Sequence, residues 1–458
     1  MKHNHTRHTR RLALVLLVLA LALGLGGISS AQPKARRAII ISLDGLDVRY
    51  LEKRDEYGLK IPTLRRLMGE GVWGRVVGVY PSVTYPSHTT IVTGATPSRH
   101  AINGNELFER PDQPQTGSWN WFARDIRAET LWDAAGRGGL KTALISWPVG
   151  AGAGDFNFPE IWKPGGTREE TREVIRRNAR PSGLVEELER RDPALYRNVN
   201  KDEGDDMRTR FAEYVVGEKK PELLLVHLFD LDHFEHEAGP FTPEAFAILE
   251  KVDGYVGRIL AAAERAGTLS ETAVFVVSDH GFSPISKQIL PGVILARAGL
   301  LKLGQDGRTV TDWRAAAYIN GGSCAIVLRD PRDRDAYRKA LAAFKEFAGG
   351  EGRGALRVLG REELRRRKTY PNAAFALEAA EGYYFDKGTA GEAVVAARIR
   401  GQHGYVPERY YTSFIANGAG VTRRGSFGTI RLIDEGPTIA RALGLKLRDA
   451  EGRALSLK

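Results

Sequence analysis

Cysteine is nearly absent from this chain: Cys324 is the only one in 458 residues, and methionine occurs three times. A single thiol excludes any intrachain disulfide, so the fold must rest on its apolar core or on bound metal. Long hydrophobic runs are equally scarce. The longest, Leu12 to Leu25, has 14 residues, short of the roughly 20 that a membrane-spanning helix needs. Internal repeats and low-complexity tracts are missing from the rest of the chain, which excludes solenoid and propeller architectures.

The one apolar run follows the basic "MKHNHTRHTRR" and precedes the small residues of "GGISSAQ". That order predicts a secretory signal over residues 1–31, cut after Ala31, and hence a periplasmic or secreted protein with no membrane attachment after cleavage. The formal charge is +11, of which Lys2, Arg7, Arg10 and Arg11 supply four, leaving +7. This excess is spread thinly. Its densest stretch, Arg361 to Lys368, reads as a solvated helix face, so stable nucleic-acid binding is not expected. A small anionic substrate fits the charge better.

Apolar β-branched runs ("RRAIIISLD", "KTALISW", "PELLLVHLFD", "ETAVFVVSD") alternate with helical patterns ("IPTLRRLMGEG", "ETLWDAAGRGGL", "PEAFAILEKVDGYVGRILAAAERAG"). This alternation predicts an α/β fold with a mostly parallel central sheet and helices on both faces. The rhythm changes from about Ser283 to Glu392, where short strands mix with Arg- and Ala-rich helices. The expected division is a core over 32–282, a smaller inserted α+β cap over 283–392, and a completing core segment over 393–458.

In "PSVTYPSHTTIVTG", Pro86 places Thr84 at or just before a helix N-terminus. Thr84 is there either as a cap, the common use of such a threonine, or as a nucleophile, which requires a base or a metal. Metal-type residues stand elsewhere at strand ends. Asp44 closes the first strand, and Asp232 and His236 are four apart, one helical turn. Asp279 and His280 are adjacent and need a turn at Gly281 to face one ion. His403 lies between glycines. Mixed carboxylate and imidazole ligation suits zinc, and two such ions form a clamp for in-line phosphoryl displacement.

Taken in order, "IIISLDGL", "TYPSHTTIVTGATPSRHAINGN", "DLDHFEHEAGP", "VVSDHGF" and "GQHGY" resemble the nucleotide pyrophosphatase/phosphodiesterase family of the alkaline phosphatase superfamily. The resemblance implies two zinc ions, one held by Asp44, Thr84, Asp279 and His280 and the other by Asp232, His236 and His403. It implies Thr84 as nucleophile through a phosphothreonine, and Asn105 as an amide donor to a phosphoryl oxygen. Small phosphodiesters or nucleotides are the implied substrates, with Tyr85 lining the slot for the second substituent. Five residues before Asp232, where nucleotide-binding members carry a base-stacking tyrosine, this chain has His227.

Two superfamily relatives are the rival readings. A sulfatase needs an oxidisable Cys or Ser at the Thr84 position and an arginine at His88, and has neither here. A phosphomonoesterase adds a close Lys and Arg for the extra unesterified oxygens, whereas "PVGAGAG" after "KTALISW" carries none. A non-catalytic zinc-binding secreted protein is the remaining alternative.

Overall fold

The computed structural model describes residues 35–195 and 204–458, so the expected signal lies outside the described residues. The apolar runs form strands β1 (Arg37–Leu43), β2 (Val72–Val77), β3 (Thr142–Ile145), β4 (Phe156–Phe158), β5 (Leu223–Leu228) and β6 (Thr272–Val277). With Thr412–Gly418 and Gly425–Arg431 they make one eight-stranded sheet. Its order is Gly425–Arg431, β2, Thr412–Gly418, β6, β1, β5, β3, β4. Every pairing in it is parallel except those of Thr412–Gly418, which runs antiparallel to both β2 and β6. The sheet is therefore mostly parallel, as the alternating pattern predicts.

Side-chain alternation explains why β1 is apolar on both faces from Ala38 to Ile41. Ile39, Ile41 and Leu43 join one core with Leu249, Val252, Val256 and Ile259 of the helix Pro243–Arg265. Ala38 and Ile40 join the opposite core with Ile91, Val92, Ile439 and Ala440. A strand covered on both faces has no polar side to show. Full burial of each such aliphatic contributes about 1.5–3 kcal/mol.

A smaller α+β insertion leaves the sheet after β6. Its antiparallel sheet, ordered Ala315–Asn320, Ser323–Leu328, Phe375–Ala379 and Leu356–Leu359, packs with the helix Arg334–Gly349 around Trp313, Ile326, Phe344 and Phe375. A second small sheet is built on Ser283–Ile289, which pairs with Gly382–Phe385, Val394–Ala396 and Gly401–Gln402. The last of these pairings ends one residue before His403, so the insertion returns that histidine to the main sheet. No helix among the described residues is long and apolar enough to cross a membrane.

Candidate active site and metal centre

Strands β6, β1 and β5 are neighbours, and their C-terminal ends deliver the metal-type residues to one edge. That edge is where open α/β sheets bind ligands. Asp44, Asp279 and His280 form one cluster, and Asp232, His236 and His403 another; within each, one ligand atom per residue lies within 4.8 Å of the others. In the first, His280 Nε2 stands 3.3 Å from Asp44 Oδ1 and 3.1 Å from Asp279 Oδ2. In the second, Asp232 lies 3.6 Å from both His236 Nε2 and His403 Nε2. The clusters adjoin, with the His280 and His403 rings stacked at 3.7 Å.

Local backbone explains these positions. Strand β5 stops at Leu228, and the carboxylates after it belong to the helix Asp230–Ala238. Only Asp232 turns to the cluster; Asp230 instead accepts the Gly204 and Asp205 N–H groups. Gly281 lies outside the left-handed region, so glycine's freedom at positive φ is not used there. Its role is steric, because a Cβ there would overlap Asp47 Oδ2. Gly404, at φ +92°, does use the left-handed region, and a Cβ there would strike Asn320 O.

The donor set fits metal ions. Asp44 Oδ1, Asp279 Oδ2 and Asp232 Oδ1 are buried carboxylate oxygens without a hydrogen bond among the described residues, a costly state unless a cation meets them. Burial, then Asp232, pushes Asp44 well above the carboxylate range, and burial, then Asp44, does the same to Asp279. Burial drives His280 and His403 well below the imidazole range, keeping them neutral, the form that ligates. His236 Nδ1 donates to the Gly401 carbonyl at 3.0 Å, which fixes the tautomer and leaves Nε2 its lone pair.

Thr84 opens the helix Thr84–Thr93, whose cap position is Val83; no side chain caps it. The Thr84 hydroxyl is thus not spent on capping. It lies 3.4 Å from His280 Nε2, at the edge of the first cluster. His88, one turn on, holds the Thr84 carbonyl through Nδ1 at 2.8 Å and takes the Ser42 hydroxyl on Nε2 at 2.8 Å. Asn105 Oδ1 accepts the Tyr85 N–H at 2.8 Å, so this amide sits beside Thr84.

A cavity of about 760 Å³ opens from Asp44, Thr84, Asn105 and Asp232, with Tyr85, Trp119 and Trp162 in its wall. Glu160, which no sequence motif marked, joins two of the expected residues. It accepts the Tyr85 hydroxyl at 2.9 Å and faces His227 Nδ1 at 2.8 Å. His227 Nε2 reaches Asp44 Oδ2 at 2.9 Å. The His227 ring is 1% exposed, and both nitrogens face acceptors. Burial lowers its affinity for a proton, but Glu160 and Asp279 together raise it and the net shift is upward. Here His227 bridges a metal-cluster carboxylate to Glu160.

Fold and site together define an α/β protein of alkaline-phosphatase-like architecture with a paired metal-type centre. The sequence profile of the type I phosphodiesterase / nucleotide pyrophosphatase family matches residues 38–406, and the chain belongs to that family. Human ectonucleotide pyrophosphatase/phosphodiesterase family member 1 is 25% identical over 251 residues, 53% of this chain and 23% of that protein. Ectonucleotide pyrophosphatase/phosphodiesterase 1 of Saccharomyces cerevisiae is 25% identical over 316 residues, 64% of this chain and 39% of that protein. The chain thus spans less than half the length of these curated relatives. The structure of human ectonucleotide pyrophosphatase/phosphodiesterase 5 superposes with a TM-score of 0.63 at 19% identity, covering 91% of this chain and 97% of that one. An inactive form of the murine protein, in complex with AMP, matches with the same TM-score and identity over 90% and 96%.

Proposed function

We propose that the chain is an exported two-zinc hydrolase of phosphodiester or pyrophosphate bonds, acting through a phosphothreonine at Thr84. The observation that carries this reading is the setting of the Thr84 hydroxyl. It starts a helix without capping it and stands 3.4 Å from His280 Nε2, beside two clusters of carboxylate and imidazole donors. Asp44, Thr84, Asp279 and His280 would hold one zinc, and Asp232, His236 and His403 the other. When bound, the ions supply Lewis-acid polarisation of the phosphoryl oxygens and offset their charge.

The chain's own residues do the rest. Thr84 Oγ1 attacks phosphorus in line, and the bond to one alcohol or phosphate substituent breaks. Water then hydrolyses the Thr84 ester, which restores the hydroxyl. Asn105, oriented by the Tyr85 N–H, donates its amide hydrogen to a phosphoryl oxygen as charge develops there. The helix N-terminus adds a favourable dipole for the same anion. Tyr85, Trp119 and Trp162 give the second substituent an apolar wall, which a diester uses and a monoester does not. The family membership and the AMP complex of the murine relative support nucleotides among the substrates.

The test is a side-by-side assay of an aryl phosphodiester and its matching monoester. A diester preference is expected. A monoester preference above about tenfold in kcat/KM, roughly 1.4 kcal/mol, gives the phosphomonoesterase reading instead. No turnover of either with zinc bound gives the non-catalytic one.

A further inference from the structure

The wall of the substrate cavity contains a buried cation that the reaction above does not use. Met207, Arg208 and Phe229 line it together with Asp44, Thr84 and His227. Arg208 is 8% exposed. Its guanidinium carbon stands over the Phe229 ring, 3.7 Å from the ring centre, and its Nε and Nη1 have no hydrogen-bond partner among the described residues.

The nearest carboxylate does not supply one. Arg208 Nη1 is 3.6 Å from Asp205 Oδ1, beyond a hydrogen bond, and both Asp205 oxygens accept backbone N–H groups, from Phe229 at 3.0 Å and Asp230 at 2.9 Å. Several other charged side chains of the cavity wall have partners. Lys163 pairs with Glu170, Arg172 with Glu169 at 3.4 Å, and Glu160 with Tyr85 and His227. A guanidinium held out of water without a bonded acceptor is costly. Its planar fork matches phosphate and carboxylate oxygens, and stacking on an aromatic ring keeps that fork oriented.

We propose that Arg208 is the anion-binding residue of this cavity, and that the substituent seated there carries its own phosphate monoester or carboxylate. The proposal rests on the phosphodiesterase reading and narrows it: the preferred diester is charged at the reacting phosphate and again on its retained arm. The competing account makes Arg208 a fixed counter-charge for the buried Asp205 and Asp230, indifferent to substrate.

The experiment compares the zinc-loaded full chain with Arg208→Gln and Arg208→Lys on matched 4-nitrophenyl diesters. Their second arm is an alkyl chain of graded length ending in a methyl group, a carboxylate or a phosphate. The wild type should prefer a charged arm by about tenfold or more in kcat/KM, mainly through KM. That ratio should fall to about one in Arg208→Gln and be partly kept in Arg208→Lys. Calorimetry gives a readout independent of turnover: propane-1,3-diyl bisphosphate should bind the wild type about tenfold more tightly than propyl phosphate, and Arg208→Gln should bind both alike. Failure to hydrolyse any diester, with the bisphosphate preference intact, sinks the phosphodiesterase reading and leaves Arg208 as an anion site. Hydrolysis with no charge preference at any arm length, or a preference unchanged in Arg208→Gln, overturns the proposal. Should Arg208→Gln not fold, the wild-type ratios and Arg208→Lys still decide.

Discussion

The backbone N–H of Tyr85 donates to Asn105 Oδ1 at 2.8 Å, locking the amide of Asn105 beside the residue that opens the helix. With its oxygen taken, the part of Asn105 left for a substrate is the NH2 donor. Asn105→Ala should lower kcat about 10²–10³-fold, the effect of losing one preorganised oxyanion donor. Asn105→Asp should be worse than Ala, because it keeps the acceptor for Tyr85 but sets a negative charge against the phosphoryl oxygens. Steady-state kinetics on an aryl diester decide this, and an Asp variant more active than Ala contradicts the donor role.

His227 holds Asp44 Oδ2 at 2.9 Å and Glu160 at 2.8 Å, the position of a residue that orients a metal ligand from behind. Removing such a partner typically costs 10–100-fold in metal affinity. Chelator competition on wild type, which should hold about two zinc ions per chain, and on His227→Phe should show that loss for one ion only. Equal affinity in both proteins would return His227 to the substrate wall alone.

Glu378, buried in the insertion, accepts the Val406 N–H at 2.9 Å, three residues beyond His403. Burial pushes its carboxyl up from the ordinary 4.5 to about 7. The folded chain therefore binds this proton more tightly than the unfolded one. Its contribution to stability is complete below pH 4.5 and is lost as pH rises to about 7, by at most about 1.4 kcal/mol per pH unit. Glu378→Gln keeps an acceptor oxygen and removes the charge. It should melt above wild type at pH 8, with the gap closing toward pH 5; a gap that does not change with pH contradicts this account.

Much of the two carboxylate–imidazole clusters was legible in the sequence because Asp44, Asp279 and His280 follow closely on strand ends. An apolar run that stops at Asp44 or Asp279 announces both a buried strand and a polar group at its edge. The Asp232–His236 spacing likewise matched the helix that carries it. What stayed hidden was contact between distant segments. Glu160 meets His227 from 67 positions away and Ser42 meets His88 from 46, and no periodicity encodes such meetings. Thr412–Gly418 was hidden for another reason: its antiparallel place between two parallel strands follows from the return of the insertion, not from local pattern. Nothing in the local sequence sets Arg208 apart from other helix charges, since only the packed Phe229 ring and the engaged Asp205 reveal that it lacks a bonded partner among the described residues.

The central claim is that Thr84 carries the phosphoryl group. Its most direct test is the turnover of Thr84→Ala on an aryl diester, with zinc content measured on the same sample. A nucleophile predicts a loss of several orders of magnitude with about two zinc ions retained, while Thr84→Ser keeps a good part of the rate. Near-normal turnover by a metal-replete Thr84→Ala would contradict the claim and make a water molecule the attacking group.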